Sequence, residues 1–465
     1  MAKYKKFGGS NILKIKIPEE VEKILNTLYK NGFQGYVVGG CVRDTLLGRI
    51  PNDWDIATNA KPNQMLNIFK DYKVVPTGIK HGTVTIIVNN KQFEVTTYRI
   101  EGKYSDNRRP DKVEFTDDLE KDLSRRDFTI NAMAYNYEKG LIDPYNGFSD
   151  LLDKKVKCVG NPDKRFEEDA LRMIRAVRFS SQLDFEIDEA VTMSIVKNSK
   201  LVRNISKERI KTELNKILLS NIPSNGIKTL VDTDLIDYII PEIREIVGFK
   251  QYSPYHDKDV FYHTMTTLDN TESDLILRLS ALLHDIAKPR CFTIDKYNIG
   301  HFYNHCVVGA EMAEEILKKL KYDKKTISSV KMLIKNHMLR LNEITAKTVK
   351  RLINKMGTEN VERLFKLQIA DVKGSKYPHD FSNIEKAVDL YKKILSEKEP
   401  LTLKDLDIDG YDLIEIGIPR GREMGIILKK LLEKVFESPE MNKKELLIQE
   451  AIFIYNNIRE KTNLS

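Results

Sequence analysis

The chain has 465 residues, 41% of them hydrophobic and 31% charged, enough for about three domains with their own cores and with no apolar run approaching a membrane span. Four cysteines, Cys41, Cys158, Cys291 and Cys306, are scattered without a Cys-x-x-Cys pair, which argues against a disulfide framework and against a thiolate zinc site. The net charge of +8 is modest for this length and fits either a basic groove for nucleic acid or a lysine-rich solvated surface.

The opening MAKYKKFGGSNILKIKIPEE has basic residues but no continuous apolar segment after them. This is not a secretory pattern, and reduced, cytoplasmic residence without membrane association is expected. EEVEKILNTLYKN carries apolar residues at helical spacing, with Gly32 as a stop. Tyr36-Val37-Val38 reads as a buried strand, and Gly39-Gly40 lets the backbone turn tightly and approach a phosphate, with Arg43 in reach of the same turn. A second strand begins in Trp54-Asp55-Ile56-Ala57, and strand alternation puts Asp53 and Asp55 on one face. Two carboxylates side by side repel, and a divalent cation between them relieves this. A phosphate turn beside a carboxylate pair suggests nucleotidyl or phosphoryl transfer, although each feature alone also occurs in ordinary surface loops.

KPNQMLNIF reads as a helix, and TVTIIVN with KQFEVTTYRI as two strands around Asn89-Asn90. The region is therefore a small α+β domain. Glu94 is either an exposed strand residue or a third metal-facing carboxylate. Arg99 to Pro110, RIEGKYSDNRRP, should be a mobile loop. In DLSRRDFTINAMAYN, Arg125-Arg126-Asp127 precedes an apolar helical run; the triplet is either a helix start or an Arg-Asp pair for a ribose and phosphates.

From about Leu151 the chain reads as nearly continuous helix. EEDALRMIRAVRFSSQL places Arg172, Arg175 and Arg178 three apart, commonly a solvated face. Asp169 and Arg172, three apart on one helical face, could instead hydrogen-bond a base edge and contact phosphates. ISKERIKTELNKILLS and GIKTLVDTDLIDYIIPEI continue as helices, and Pro241 marks a boundary. Six of the chain's eight histidines lie between His256 and His337. His263, His284-Asp285, His305, His337 and Asp371, gathered from several helices, suit a divalent transition metal with a position open for water. His256, His301 and His379 stay outside that set. The remainder is helical; GIPRGREMGIILKKLLEKV puts Gly and Arg ahead of an amphipathic helix, either an RNA-backbone contact or a plain helix start.

In order, GGCVRDTLLGRIPNDWDIAT, TGIKHGTVTII, FEVTTYRIEGKYSDNRRP, DLSRRDFTINAMAYN and RFEEDALRMIRAVRFSSQLDF resemble the bacterial class II tRNA nucleotidyltransferases, the CCA-adding enzymes, which share their head with bacterial poly(A) polymerases. The likeness is close through about residue 245. HTMTTL, LLHDIAKP, NHCVVGAEMA and IKNHM then resemble the HD-domain phosphohydrolases. The resemblance implies an α+β fold: a polymerase-β-like nucleotidyltransferase head with a mixed sheet at 1–150, then an all-α chain. That chain divides into a nucleotide-selecting, RNA-binding neck at 151–248, an HD-type body at 249–375 and a tRNA-binding tail at 376–465.

It further implies CCA addition to tRNA from CTP and ATP, with Mg²⁺ on Asp53 and Asp55 and Glu94 as a third candidate. Gly39, Gly40 and Arg43 match positions holding the triphosphate, and Arg126 and Asp127 those reading the ribose. Asp169 and Arg172 match a protein template for cytosine or adenine, assisted at phosphates by Arg175 and Arg178. A full-length Arg99–Pro110 loop disfavours a CC-only enzyme; A-adding and poly(A) activity remain alternatives. His263, His284, Asp285 and Asp371 resemble HD metal ligands, with His305 and His337 for a second metal. That region is expected to be a phosphohydrolase, or else a scaffold gripping the tRNA body. No protein partner is implied.

Overall fold

A four-residue apolar run between a helix stop and two glycines becomes a strand buried along its whole length, Gly35–Val38 (β1). The computed structural model describes residues 15–102, 113–252, 258–339 and 344–463. It forms two compact units, Met1–Arg244 and Glu245–Ser465.

In the first unit, α1 (Glu19–Lys30) buries the stripe Val21, Ile24, Leu25 and Leu28, and Gly32 at φ 80° ends it in the left-handed conformation that glycine adopts without strain. After β1 come α2 (Gly40–Leu46), β2 (Ile56–Thr58), α3 (Pro62–Ile68), β3 (Lys73–Gly78), β4 (Thr83–Val88) and β5 (Lys91–Thr97). Then follow β6 (Arg99–Glu101), β7 (Val113–Phe115), α4 (Leu119–Ser124), β8 (Ala134–Asn136) and β9 (Gly140–Ile142). The sheet runs β3-β4-β5-β2-β1-β8-β9. It is mixed, because β2 and β5 pair in parallel while the other neighbours are antiparallel. Asn89 and Asn90, at φ 50° and 61°, supply the left-handed pair that a two-residue hairpin needs. Burial alternates along β4 and β5, with Val84, Ile86, Val88, Phe93 and Val95 inward.

Two local expectations fail here. Arg99–Glu101 is a strand paired with Val113–Phe115 rather than loop; the rest of the expected loop, from 103, lies outside the described residues. The apolar run after Asp127 is not a helix. Thr129–Asn131 makes one tight turn and Ala134–Asn136 joins the sheet, because the edge of β1 at Val37 and Val38 takes Tyr135 and Ala134 as partners. Sheet pairing overrides local preference.

The helices then run α5 (Gly147–Leu152), α6 (Pro162–Glu168), α7 (Leu171–Leu183), α8 (Glu189–Asn198), α9 (Lys207–Leu218) and α10 (Pro223–Asp232), with short strands β10 (Lys155–Val156) and β11 (Glu186–Ile187) between them. The expected single helix through Asp169 and Arg172 is broken. Asp169 is extended, φ −143° and ψ 101°, and its carboxylate accepts the Leu171 amide at 3.1 Å. The side chain thereby competes with the backbone for a helical hydrogen bond, and Asp169 and Arg172 do not share a helical face. Two short helices, α11 (Ile236–Ile239) and α12 (Glu242–Ile246), complete the stretch.

The second unit is mainly helical: α13 (Val260–Asp269), α14 (Leu275–Leu283), the hairpin β12 (Phe292–Ile294) and β13 (Gly300–Phe302), α15 (His305–Lys319), α16 (Lys324–Asn336), α17 (Ala346–Met356) and α18 (Thr358–Gly374). Four further helices are α19 (Ser382–Ser396), α20 (Gly410–Glu415), α21 (Arg422–Glu437) and α22 (Lys444–Asn463), the last three enclosing a core that includes Leu413, Ile427, Leu431 and Leu447. Arg420 and Arg422, ahead of and opening α21, are exposed. Among the described residues no helix is long and apolar enough to cross a membrane.

Candidate active site

In the first unit, the antiparallel register of β1 and β2 brings the glycine turn to the aspartates. Val37 pairs with Ile56, and the Val38 amide donates to the Asp55 carbonyl at 3.0 Å. Gly39 therefore sits beside the start of β2. Its φ of 77° strains any residue that carries a side chain, and Arg126 Nη1 lies 2.8 Å from where a Cβ would stand, so that guanidinium would have to shift. Asp53 and Asp55 are exposed and lie just ahead of β2, which begins at Ile56 rather than in the expected Trp54-Asp55 stretch. The parallel register of β2 with β5, Ile56 against Val95, aligns the preceding residues Asp55 and Glu94, and Glu94 is also exposed. The Asp55 carboxyl is raised from its ordinary value. Displacement of water by surrounding protein is the largest cause even though the side chain keeps solvent access; Arg126 opposes it, and the charges of Glu94 and Asp53 add to it. Asp53 and Glu94 thus lie close enough to Asp55 for their charges to bear on it. The three carboxylates are not, however, among the groups whose donor atoms all lie within 4.8 Å of one another.

Behind the turn lies a network of arginines. Arg43, 9% exposed, pairs with Asp44 at 2.8 Å and donates to Asn131 Oδ1. The Asn131 amide in turn donates to Asp127 at 3.1 Å. Asp127 also accepts the Phe128 amide at 2.8 Å and Arg175 Nε at 2.8 Å. Burial works to raise the Asp127 carboxyl, but Arg175, Asn131 and Arg172 outweigh it and hold it well below the usual carboxylate range. Arg126 lies 3.5 Å from buried Asp122, whose other oxygen accepts Arg125 Nε at 3.0 Å and the Arg99 amide at 3.2 Å.

The arginine row on α7 is no solvated face. Arg172 and Arg178 are buried, Arg175 half-buried. Arg172 donates to Glu168 Oε2 at 2.6 Å, the Arg165 carbonyl at 3.3 Å and the Arg125 carbonyl at 3.0 Å. Arg178 pairs with Glu213 at 3.2 Å. Burial lowers Arg178 to about 10, with Arg175 adding to the effect and Glu213 opposing it. The guanidinium carbons of Arg43, Arg175 and Arg178 stand 5.0, 5.4 and 3.9 Å from the centre of the Phe179 ring, which clusters three cations on one aromatic. Asp169 meets not Arg172 but Arg209 on α9, through Nη1 at 3.2 Å and Nη2 at 2.7 Å. Asn131, Arg209 and Glu213 escape sequence reasoning because their partners Arg43, Asp169 and Arg178 are far along the chain, whereas Glu168 pairs locally with Arg165 and Arg172.

In the second unit, the ends of α14, α15 and α16 and the interiors of α13 and α18 bring all six expected residues together. His263 Nε2 lies 2.9 Å from Asp371 Oδ1 and 3.3 Å from His284 Nε2. Asp285 stands at the centre: its Oδ2 is 3.1 Å from His284, 3.5 Å from His263 and 2.7 Å from Lys288 Nζ, and its Oδ1 is 3.5 Å from His305 and 3.8 Å from His337. His284 donates its Nδ1 proton to the Ala281 carbonyl at 2.8 Å, orienting Nε2 inward as in metal-binding imidazoles. Burial depresses the His284 imidazole, but Asp285 and Asp371 override it and hold it at about 10; His337 is pushed down to about 4 by burial and by His284. The donor sets His263–His284–Asp285 and His305–Cys306–His337 each lie within 4.8 Å. Cys306 was discounted on spacing, having no nearby second cysteine. His301 pairs with Asp295 at 3.0 Å and His379 lies 3.2 Å from the Ser375 carbonyl, outside the cluster; His256 lies outside the described residues.

Residues 35–157 match the family described as the poly A polymerase head domain, 184–246 the probable RNA and SrmB-binding site of polymerase A, and 302–451 the putative tRNA nucleotidyltransferase domain 2. A curated CCA-adding enzyme of Ligilactobacillus salivarius is 34% identical over 448 residues, covering 94% of this chain and 97% of that protein. Among solved structures, the Bacillus stearothermophilus CCA-adding enzyme in complex with CTP has a TM-score of 0.70 at 25% identity, covering 96% of this chain and 98% of that one. The Thermotoga maritima CCA-adding enzyme complexed with tRNA shares the fold, with a TM-score of 0.58 at 20% identity over 94% of this chain and 96% of that one. The 34% identity along nearly the whole of both chains, on an α+β polymerase head with a mixed sheet, establishes that this chain is a nucleotidyltransferase belonging to the CCA-adding enzyme and poly(A) polymerase family.

Proposed function

We propose that the chain is a class II enzyme of that family, adding C, C and A to the 3′ end of tRNA from CTP and ATP with release of pyrophosphate. The observation that carries the reading is the junction of β1 and β2, where a glycine turn open to close approach lies against two exposed aspartates, with Arg126 serving both. Asp53 and Asp55, with Glu94 as a third candidate, offer an all-oxygen donor set suited to a hard cation, whose charge would offset their mutual repulsion. These carboxylates would hold Mg²⁺, which would supply Lewis-acid activation of the tRNA 3′-hydroxyl and charge neutralisation at the phosphates. The turn at Gly39 and Gly40 lets the triphosphate approach the main chain, Arg43 and Arg126 supply positive charge to it, and Asp127 orients the surrounding arginines. No protein nucleophile is required.

Selection of cytosine or adenine is assigned to Asp169 and Arg172, with Arg175 and Arg178 as the cationic ground behind them. Arg172 is tied to the Arg125 carbonyl, beside Arg126, so the selecting and phosphate-facing residues move together. Asp169 can offer oxygens to a base as its partly exposed pair with Arg209 loosens. Guanine and uracil then leave polar groups unpaired. In a competition of all four nucleoside triphosphates, wild type is expected to incorporate only C and A, and Arg172→Ala to admit the others. Unchanged selectivity in the variant removes Arg172 from this role.

The organisation this implies is a head at 1–150, neck at 151–248, HD-type body at 249–375 and tRNA-binding tail at 376–465, in a cytoplasmic enzyme. In the HD-type body, His263, His284, Asp285 and Asp371 fit a divalent transition metal and support hydrolysis of phosphate esters at RNA ends. Their inward-facing nitrogens and paired carboxylates favour this over a purely scaffolding body.

A further inference from the structure

His305 and His337 each commit the Nδ1 proton to a main-chain carbonyl three residues earlier, Phe302 and Ile334, both at 2.7 Å. In the neutral ring each Nε2 then carries a lone pair. The two Nε2 atoms nevertheless face each other at 3.4 Å, with 8% and 3% of the residues exposed. Two buried acceptors cannot satisfy one another, and the single thiol proton of Cys306 can serve only one of them, whereas a shared cation satisfies both. The Cys306 Sγ lies 3.5 Å from His305 Nε2, and Asp285 Oδ1 lies 3.5 and 3.8 Å from the two Nε2 atoms.

These separations have a geometric meaning. Around a tetrahedral ion with bonds of about 2.0–2.3 Å, the ligand atoms stand about 3.3–3.8 Å apart. Four of the six edges of such a tetrahedron, at 3.4, 3.5, 3.5 and 3.8 Å, have that length, and the Cys306 Sγ lies within 4.8 Å of the His337 donor atom. The donors assemble without a Cys-x-x-Cys pair, because the thiol and one imidazole are adjacent at the start of α15 and the second imidazole arrives at the end of α16.

We infer that Cys306, with His305, His337 and Asp285 Oδ1, forms a thiolate-containing site for a borderline divalent cation of the zinc class, chemically distinct from the all-imidazole-and-carboxylate half at His263, His284 and Asp371. The inference rests on the reading of the histidine cluster as a metal centre. Coordination forms the metal–sulfur bond and releases the thiol proton to solvent. The sulfur makes this half the softer of the two and sets its metal preference apart.

The test loads the full-length, metal-stripped chain with cobalt(II) and records both metal equivalents and the near-ultraviolet spectrum. Wild type is expected to show a thiolate-to-cobalt charge-transfer band. Cys306→Ser, folded by circular dichroism, should lose the band and one metal equivalent, while His284→Ala keeps the band. Cobalt bound by wild type without the band, or a band surviving in Cys306→Ser, overturns the role of Cys306 and leaves the metal centre standing. A chain that takes up no cobalt at either half overturns the metal-centre reading as well.

Discussion

Asp53→Ala is expected to abolish incorporation of both cytidine and adenosine, by about 10³-fold or more, without disturbing the fold. Asp53 is exposed just ahead of β2, close enough to Asp55 and Glu94 for their like charges to interact. Removing it takes no packing from the core and relieves like-charge repulsion, so the melting transition should be unchanged. What is lost, on the proposed reading, is one of the two carboxylates that would hold the cation at the reacting phosphate, and no nearby basic residue can replace a carboxylate in that task. Because these carboxylates are blind to the base, C and A addition should fall together. Single-turnover addition to one tRNA transcript, with labelled CTP and labelled ATP in separate reactions, makes the comparison. Retained incorporation of either nucleotide at the wild-type rate removes Asp53 from the chemistry.

The second large effect is on stability. Asp127→Asn should destabilise the first unit by about 2–4 kcal/mol, because it removes the charge facing the Arg175 guanidinium at a buried position and weakens the acceptor for Asn131. Asn131 also holds Arg43, so loosening spreads to the glycine turn. The pH dependence has a definite sign. The folded Asp127 carboxyl titrates below its unfolded value of about 3.8; its contribution is therefore complete above that value and is lost as the pH falls through it toward the folded value. Denaturant unfolding of wild type and Asp127→Asn should differ by a constant amount from pH 7 to 5 and converge below about 4. A difference that is negligible at pH 7, or that persists undiminished at pH 3, contradicts the orienting role.

What was legible in the sequence is what local chemistry dictates. The run Tyr36-Val37-Val38 before two glycines could only be a buried strand and a turn, Asn89-Asn90 could only be a hairpin, and histidines repeated at helix ends marked their own convergence. What was hidden depends on partners distant in sequence. The three-residue spacing of Arg172, Arg175 and Arg178 fits a solvated stripe equally well; only the arrival of Asp127 at Arg175 and Glu213 at Arg178, beside the local Glu168, makes burial of those charges tolerable. Asp169 looked helical beside Arg172 because periodicity cannot register that its side chain captures the Leu171 amide and that Arg209 waits on another helix. The apolar run after Asp127 reads as helical, but its end, Ala134-Tyr135-Asn136, is drawn into the sheet by the edge of β1. Cys306 was set aside because a single thiol has no spacing to read.

Among all measurements, incubation with tRNA transcripts ending before CCA, after C and after CC, each supplied with labelled CTP or ATP, bears most directly on the proposed activity. The expected result is two cytidines and one adenosine on the first, one cytidine and one adenosine on the second, a single adenosine on the third, and no extension beyond. Adenosine added only to the transcript ending in CC, or a growing run of adenosines on any of them, would contradict full CCA addition.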